Sequence, residues 1–164
     1  MLWKGRHLIG LPVRTQASQT EIGEIKGYLY GIEEGKVDWL LLEEGGRFWG
    51  NKLFPWEAIC SLTDQGAIVE SEDAIVNTKD DGQLRDYCSE KASYMGLEVY
   101  DDEGVLIGKV QDICLDPVSG KIMAIEISQG AIEDLLCGRK LINFSPTEEL
   151  VRQEGGYIIK KALQ

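Results

Sequence analysis

The chain repeats itself, and that constrains its fold more than any other feature. Ile22 to Leu42 reads IGEIKGYLYGIEEGKVDWLLL, and Ile107 to Ile127 reads IGKVQDICLDPVSGKIMAIEI. Both stretches open with Ile-Gly, and both carry a Gly-Lys step at the same distance, Gly35-Lys36 and Gly120-Lys121. Further blocks keep the same order. Ile9–Val13 (IGLPV) pairs with Met95–Val99 (MGLEV), and Gly50–Leu53 (GNKL) with Gly138–Leu141 (GRKL). Pro55–Ile59 (PWEAI) pairs with Pro146–Leu150 (PTEEL), and Ala67–Val69 (AIV) with Tyr157–Ile159 (YII). The spacing between copies drifts only between blocks, where loops belong. In a chain of 164 residues this is room for two small units. The expected boundaries are 1–70 and 94–164, joined by a linker over 71–93.

Each copy has the signature of a mainly β unit. Short runs rich in Ile, Val, Leu and Tyr are cut by turn chemistry. Asp101–Gly104 (DDEG), Asp116–Lys121 (DPVSGK) and Glu33–Lys36 (EEGK) read as hairpin turns, with a late glycine supplying the left-handed residue. Gly35 and Gly120 are therefore expected at positive φ. A helical turn is expected at each of Pro55 and Pro146, the latter with Ser145 and Glu148 as a capping box. About 65 residues of short antiparallel strands predict a small closed barrel in each copy, since closure removes sheet edges. The linker, SEDAIVNTKDDGQLRDYCSEKAS, is polar, and a short helix is expected near Leu84 to Lys91.

The pattern that emerges is Gly-x-x-Val, a hairpin, Ile-Gly-x-Val-x-Asp, a turn ending in Gly-Lys, an apolar strand, Gly-x-Lys and Pro-x-x-x-Ile/Leu. It resembles the PRC-barrel domain, found in the H subunit of the photosynthetic reaction centre, in the C-terminal half of the ribosome maturation factor, and in small stand-alone bacterial and archaeal proteins. The second copy carries the resemblance best, through Gly96, Val99, Gly104, Ile107-Gly108, Val110, Asp112, Asp116, Gly120-Lys121 and Gly138. The first departs from it: TQASQT replaces the Asp/Gly turn, and Gly27 stands where Asp112 does. The resemblance implies two tandem small antiparallel barrels and action through protein–protein contact, as an adaptor, assembly or regulatory factor. The alternative is a small-molecule or metal-binding domain.

The chemistry-bearing residues fit a non-catalytic role. His7 is the one histidine, which leaves no His-based metal cluster or catalytic pair within one chain. Cys60, Cys88, Cys114 and Cys137 lie far apart, with no Cys-x-x-Cys, and Cys114 replaces Leu29 of the first copy, as a small core hydrophobe would. Asp101–Gly104 lacks the alternating oxygens and terminal Glu of a calcium loop, and no phosphate-binding glycine loop or nucleophile elbow is present. No catalytic residue, cofactor or metal ligand is therefore assigned. The formal net charge is -11, spread evenly along the chain, and such a field repels nucleic acid. MLWKGRHLIGLPV is broken by charges, and no stretch has the roughly 20 apolar residues of a membrane helix, so a cytoplasmic setting is expected.

Apolar residues in unexpected places mark the candidate partner surface. If Leu40 and Leu42 point inward, strict alternation puts Val37, Trp39 and Leu41 on the outer face. That stripe needs cover from the other copy, the linker or a partner. In the same way, Met123, Ile125 and Ile127 alternate with Ile122, Ala124 and Glu126. Phe48 and Trp49 in one variable loop, and Leu135 and Leu136 in its counterpart, have the character of interface anchors. Trp39, Phe48, Trp49, Leu135 and Leu136 are thus the candidates for contact with another protein or a second copy of the chain.

Overall fold

The computed structural model describes residues 2–31, 35–43, 52–92, 96, 98–101, 103–130, 135–136, 138, 140–143, 150–153 and 156–159. Its strands are β1 (Trp3–Lys4), β2 (Pro12–Thr15), β3 (Glu21–Gly31), β4 (Lys36–Glu43), β5 (Lys52–Pro55), β6 (Ile59–Thr63), β7 (Gly66–Val69) and β8 (Val76–Asn77), followed by helix α1 (Gly82–Ala92). Then come β9 (Glu98–Tyr100), β10 (Leu106–Leu115), β11 (Ile122–Ser128), β12 (Lys140–Asn143), β13 (Leu150–Gln153) and β14 (Gly156–Ile159). Two 7-stranded sheets form, one centred on each copy. The first has the order β6-β7-β2-β3-β4-β5-β8, and the second β12-β11-β10-β9-β14-β13 with β1 attached to β10.

The expected closed antiparallel barrels are corrected on two points. Both sheets are open paths among the described residues. In addition, β2 with β7 and β9 with β14 run parallel. Direction follows from counting reversals. The chain reverses at β2–β3, β3–β4, β4–β5 and β6–β7. The turn at Trp56–Ala58 carries β5 into β6 without a ladder pairing between them. An even number of reversals brings β7 back along β2 in the same sense.

Corresponding strands match residue by residue. Ile25 faces Leu42 as Val110 faces Ile127, and Leu29 faces Trp39 as Cys114 faces Ala124. Both ladders also slip at the same places. Between Leu29/Trp39 and Tyr30/Val37 the extra residue is Asp38; between Cys114/Ala124 and Leu115/Ile122 it is Met123. A bulge of this kind inverts the side-chain phase beyond it. Val37, expected outside, is therefore fully buried, while Leu40 and Leu42 lie inside as alternation requires. Ile122 is likewise buried, and Met123 is left 37% exposed.

One apolar core runs through both copies, with Val13, Ile25, Leu40 and Phe54 from the first and Val110, Ile113, Ile125 and Ile127 from the second. The N-terminal segment and the linker are exchanged between the two sheets. β1 pairs with the second sheet, Trp3 opposite Leu115 and Lys4 opposite Cys114. Helix α1 instead packs on the first, where Leu84 joins Leu29 and Leu53 in a separate apolar cluster. The Asp81 carboxylate caps this helix by accepting from the Leu84 N–H at 3.0 Å. The expected helix over Leu84 to Lys91 falls inside it. Pro55, expected at the first helical position, is instead the N-cap of a turn that starts at Trp56. The Ser145–Glu148 box lies outside the described residues.

Candidate functional site

The sequence candidates separate into three groups. Trp39 is half-buried and packs with Leu41, Leu84 and Tyr87 in the cluster beneath α1, so the linker helix covers this part of the stripe. Phe48 and Trp49 lie outside the described residues. Leu135 and Leu136 are 86% and 75% exposed, in the connection from β11 to β12. The structure does not bring these residues together with Trp39.

A second feature lies outside the residues that the sequence marks as candidates. On the face of the second sheet that corresponds to the α1-covered face of the first, Asp112 and Glu126 lie opposite each other in the β10–β11 ladder. Both are buried. The equivalent pair in the first sheet is Gly27 and Leu41. Repeat comparison carries the signal: one copy has a glycine and a leucine where the other has two carboxylates.

The N-terminal segment satisfies those carboxylates. Asp112 Oδ1 accepts from the Tyr28 hydroxyl and from the Ile113 N–H, each at 2.8 Å. Its Oδ2 accepts from the Arg6 N–H at 3.2 Å and the Arg6 guanidinium at 3.3 Å. Arg6 also reaches Glu126 Oε1 at 3.3 Å, and the Lys4 ammonium donates to Glu126 Oε2. Gly5 lies between these cations, and a Cβ there would overlap the Tyr28 hydroxyl and the Asp112 carboxylate. The site therefore joins the N-terminal segment, β3 of the first copy and β10–β11 of the second.

Electrostatics follow from this packing. Burial, then the charge of Asp112 and the bond to it, push the Tyr28 phenol far above the ordinary tyrosine range. Burial works against the charge on Lys4. The bond to Glu126, with the attraction of Cys114 and Glu126, outweighs it and holds Lys4 above its usual value. His7 turns its Nδ1 to the Lys4 N–H at 3.0 Å and meets Trp3 edge-on, a local capping role.

Chemically, the cluster is a set of ion pairs whose carboxylates are buried and whose cations reach the surface. The buried carboxylates among the described residues are the two already engaged. No group of three or more His, Cys, Asp or Glu side chains is placed to hold a metal ion among the described residues. Beside the cluster is a shallow depression of about 580 Å³ lined by Lys4, Arg6, Glu126 and Leu141. No helix among the described residues is long and apolar enough to cross a membrane.

Comparison with known proteins agrees with this architecture. No curated protein sequence matches the chain. Residues 4–76 and 91–162 each match the PRC-barrel domain. The paired bulges, the shared glycine turns and these two matches make the chain a member of the PRC-barrel domain family, with two copies in tandem.

Proposed function

We propose that this protein is a non-catalytic interaction module, acting in the cytoplasm as an adaptor, assembly or regulatory factor that docks onto another protein. The observation that carries this reading is the exposure of Leu135 and Leu136. Neighbouring exposed leucines cost hydration unless something covers them. They stand in the connection that differs most between the copies, AIEDLLC against GGRFWG, while the scaffold around it keeps its register. The site chemistry points the same way, since Asp112 and Glu126 hold structural ion pairs and have their donors in place. Free thiols at Cys60 and Cys114 suit a reducing compartment.

The test is quantitative capture of co-purifying proteins by the tagged chain and by its Leu135→Ser/Leu136→Ser variant. The variant should keep its unfolding free energy within about 0.5 kcal/mol and lose specific proteins that the parent retains. Identical protein sets from both would overturn the assignment.

A further inference from the structure

The duplicated architecture supplies an internal template for one surface. In the first sheet β5 is covered on its outer edge by β8, which pairs antiparallel with Leu53 opposite Val76 and Lys52 opposite Asn77. Leu53 is fully buried there, under Val76 and Leu84. The equivalent strand of the second sheet is β12. Leu141 faces Glu126 just as Leu53 faces Leu41, and Lys140 faces Ile127 as Lys52 faces Leu42. Among the described residues β12 pairs on one side only, with β11, and Leu141 is 52% exposed.

We propose that the outer edge of β12, with Leu141 at its centre, is a docking site for an extended acidic segment of a partner protein. The segment adds antiparallel to β12 as β8 adds to β5. An unpaired edge offers main-chain donors and acceptors, and Leu141 offers the apolar contact that gives register. Charge selects the occupant. The side chains of Lys4 and Arg6 beside Leu141 are 24% and 55% exposed, whereas the carboxylates they pair with are 5% exposed. A ligand therefore meets the cations first. The template has that character, since β8 is flanked by Glu72 and Asp73 on one side and Asp80 and Asp81 on the other. This inference rests on the reading that the chain works by protein contact, but it concerns a different surface from Leu135 and Leu136.

The probe is a fluorescent peptide with the sequence of residues 71–81, SEDAIVNTKDD, titrated with the full chain and read by anisotropy. Saturable binding is expected, weakening several-fold as salt rises from about 0.05 to 0.3 M. Leu141→Ser should weaken it about tenfold, a loss of about 1.4 kcal/mol. Leu106→Ser is the control, because Leu106 has the same 52% exposure on β10 and its loss should leave binding unchanged. Absence of saturation, or equal affinity in both variants, would overturn the site, the latter because the peptide would then be displacing β8 in the first sheet. Sedimentation showing a dimer that Leu141→Ser dissolves would also overturn it, by assigning the edge to a second copy. The peptide result does not depend on Leu135 and Leu136, so failure here is distinguishable from failure of the general reading.

Discussion

Lys36 and Lys121, which hold the same place in the two copies, lie opposite each other in an isolated antiparallel bridge. The Val37 N–H donates to the Gly120 carbonyl at 2.9 Å, and the Ile122 N–H donates to the Gly35 carbonyl at 2.8 Å. The contact is reciprocal, as at a two-fold axis. Gly35 and Gly120 have φ of 71° and 76°, so each Gly-Lys step ends its turn in the left-handed region and enters the next strand. The duplicated motif thus closes two hairpins and also stitches them together. The Lys36 ammonium is engaged by Glu57 at 2.6 Å, beside the Trp56 ring that lies over Gly120.

Gly120→Ala should therefore be among the most damaging small substitutions. A Cβ at this position would sit 2.7 Å from the Trp56 ring, in a backbone conformation unfavourable to L residues. The combined strain and overpacking predict a loss of about 2–4 kcal/mol in denaturant unfolding. Gly104→Ala, with φ of 82° and open space around it, isolates the backbone contribution and should cost about 1–2 kcal/mol. Equal losses would remove the Trp56 contact from the account.

Tyr28→Phe tests the link between the copies. It removes a hydrogen bond to a buried carboxylate, while Asp112 keeps Arg6 and the Ile113 N–H. The expected loss at neutral pH is about 1.5 kcal/mol.

The same residue sets an alkaline limit. The folded-state pKa of Tyr28 lies above the unfolded one, through burial first and Asp112 next. Stability tied to its proton is fully present below the unfolded value, about pH 10. It is lost as pH rises from there toward the folded value. The unfolding free energy of the parent should fall with pH above about 10 more steeply than that of Tyr28→Phe. Matching slopes would detach Tyr28 from the alkaline behaviour.

Leu84→Ala probes the cover that α1 provides. Leu84 is 9% exposed and packs on Leu29 and Leu53. Truncation should cost about 2–4 kcal/mol and speed amide hydrogen exchange in α1 and β8 ahead of β3 and β4. Unchanged protection in α1 would mean that Tyr87 and its bond to Asp38 hold the helix without Leu84.

At about 0.15 M salt the chain should show no saturable binding to structured RNA in a mobility-shift titration, because a net charge of -11 leaves few phosphate contacts to release counterions. Micromolar binding would overturn the charge argument.

The tandem repeat of mainly β units is legible in the residues alone, because turn glycines and apolar runs are local signals. Gly35, Gly120, the Asp116 turn and the helix around Leu84 could be read directly, since each rests on the conformational preference of a few neighbouring residues. Other features depend on distant partners and come from packing. Strict alternation assigned Val37 to the outer face, and a one-residue bulge at Asp38, set by pairing with β3, turned it into the core. The parallel return of β7 onto β2 depends on how the Trp56 turn redirects the chain, which no short window encodes. The exchange of the N-terminal segment and the linker between the sheets was likewise hidden, and with it the ion pairs of Lys4 and Arg6. Asp112 and Glu126 lie more than a hundred residues from Arg6, and only packing joins a charge on one segment to its partner on another.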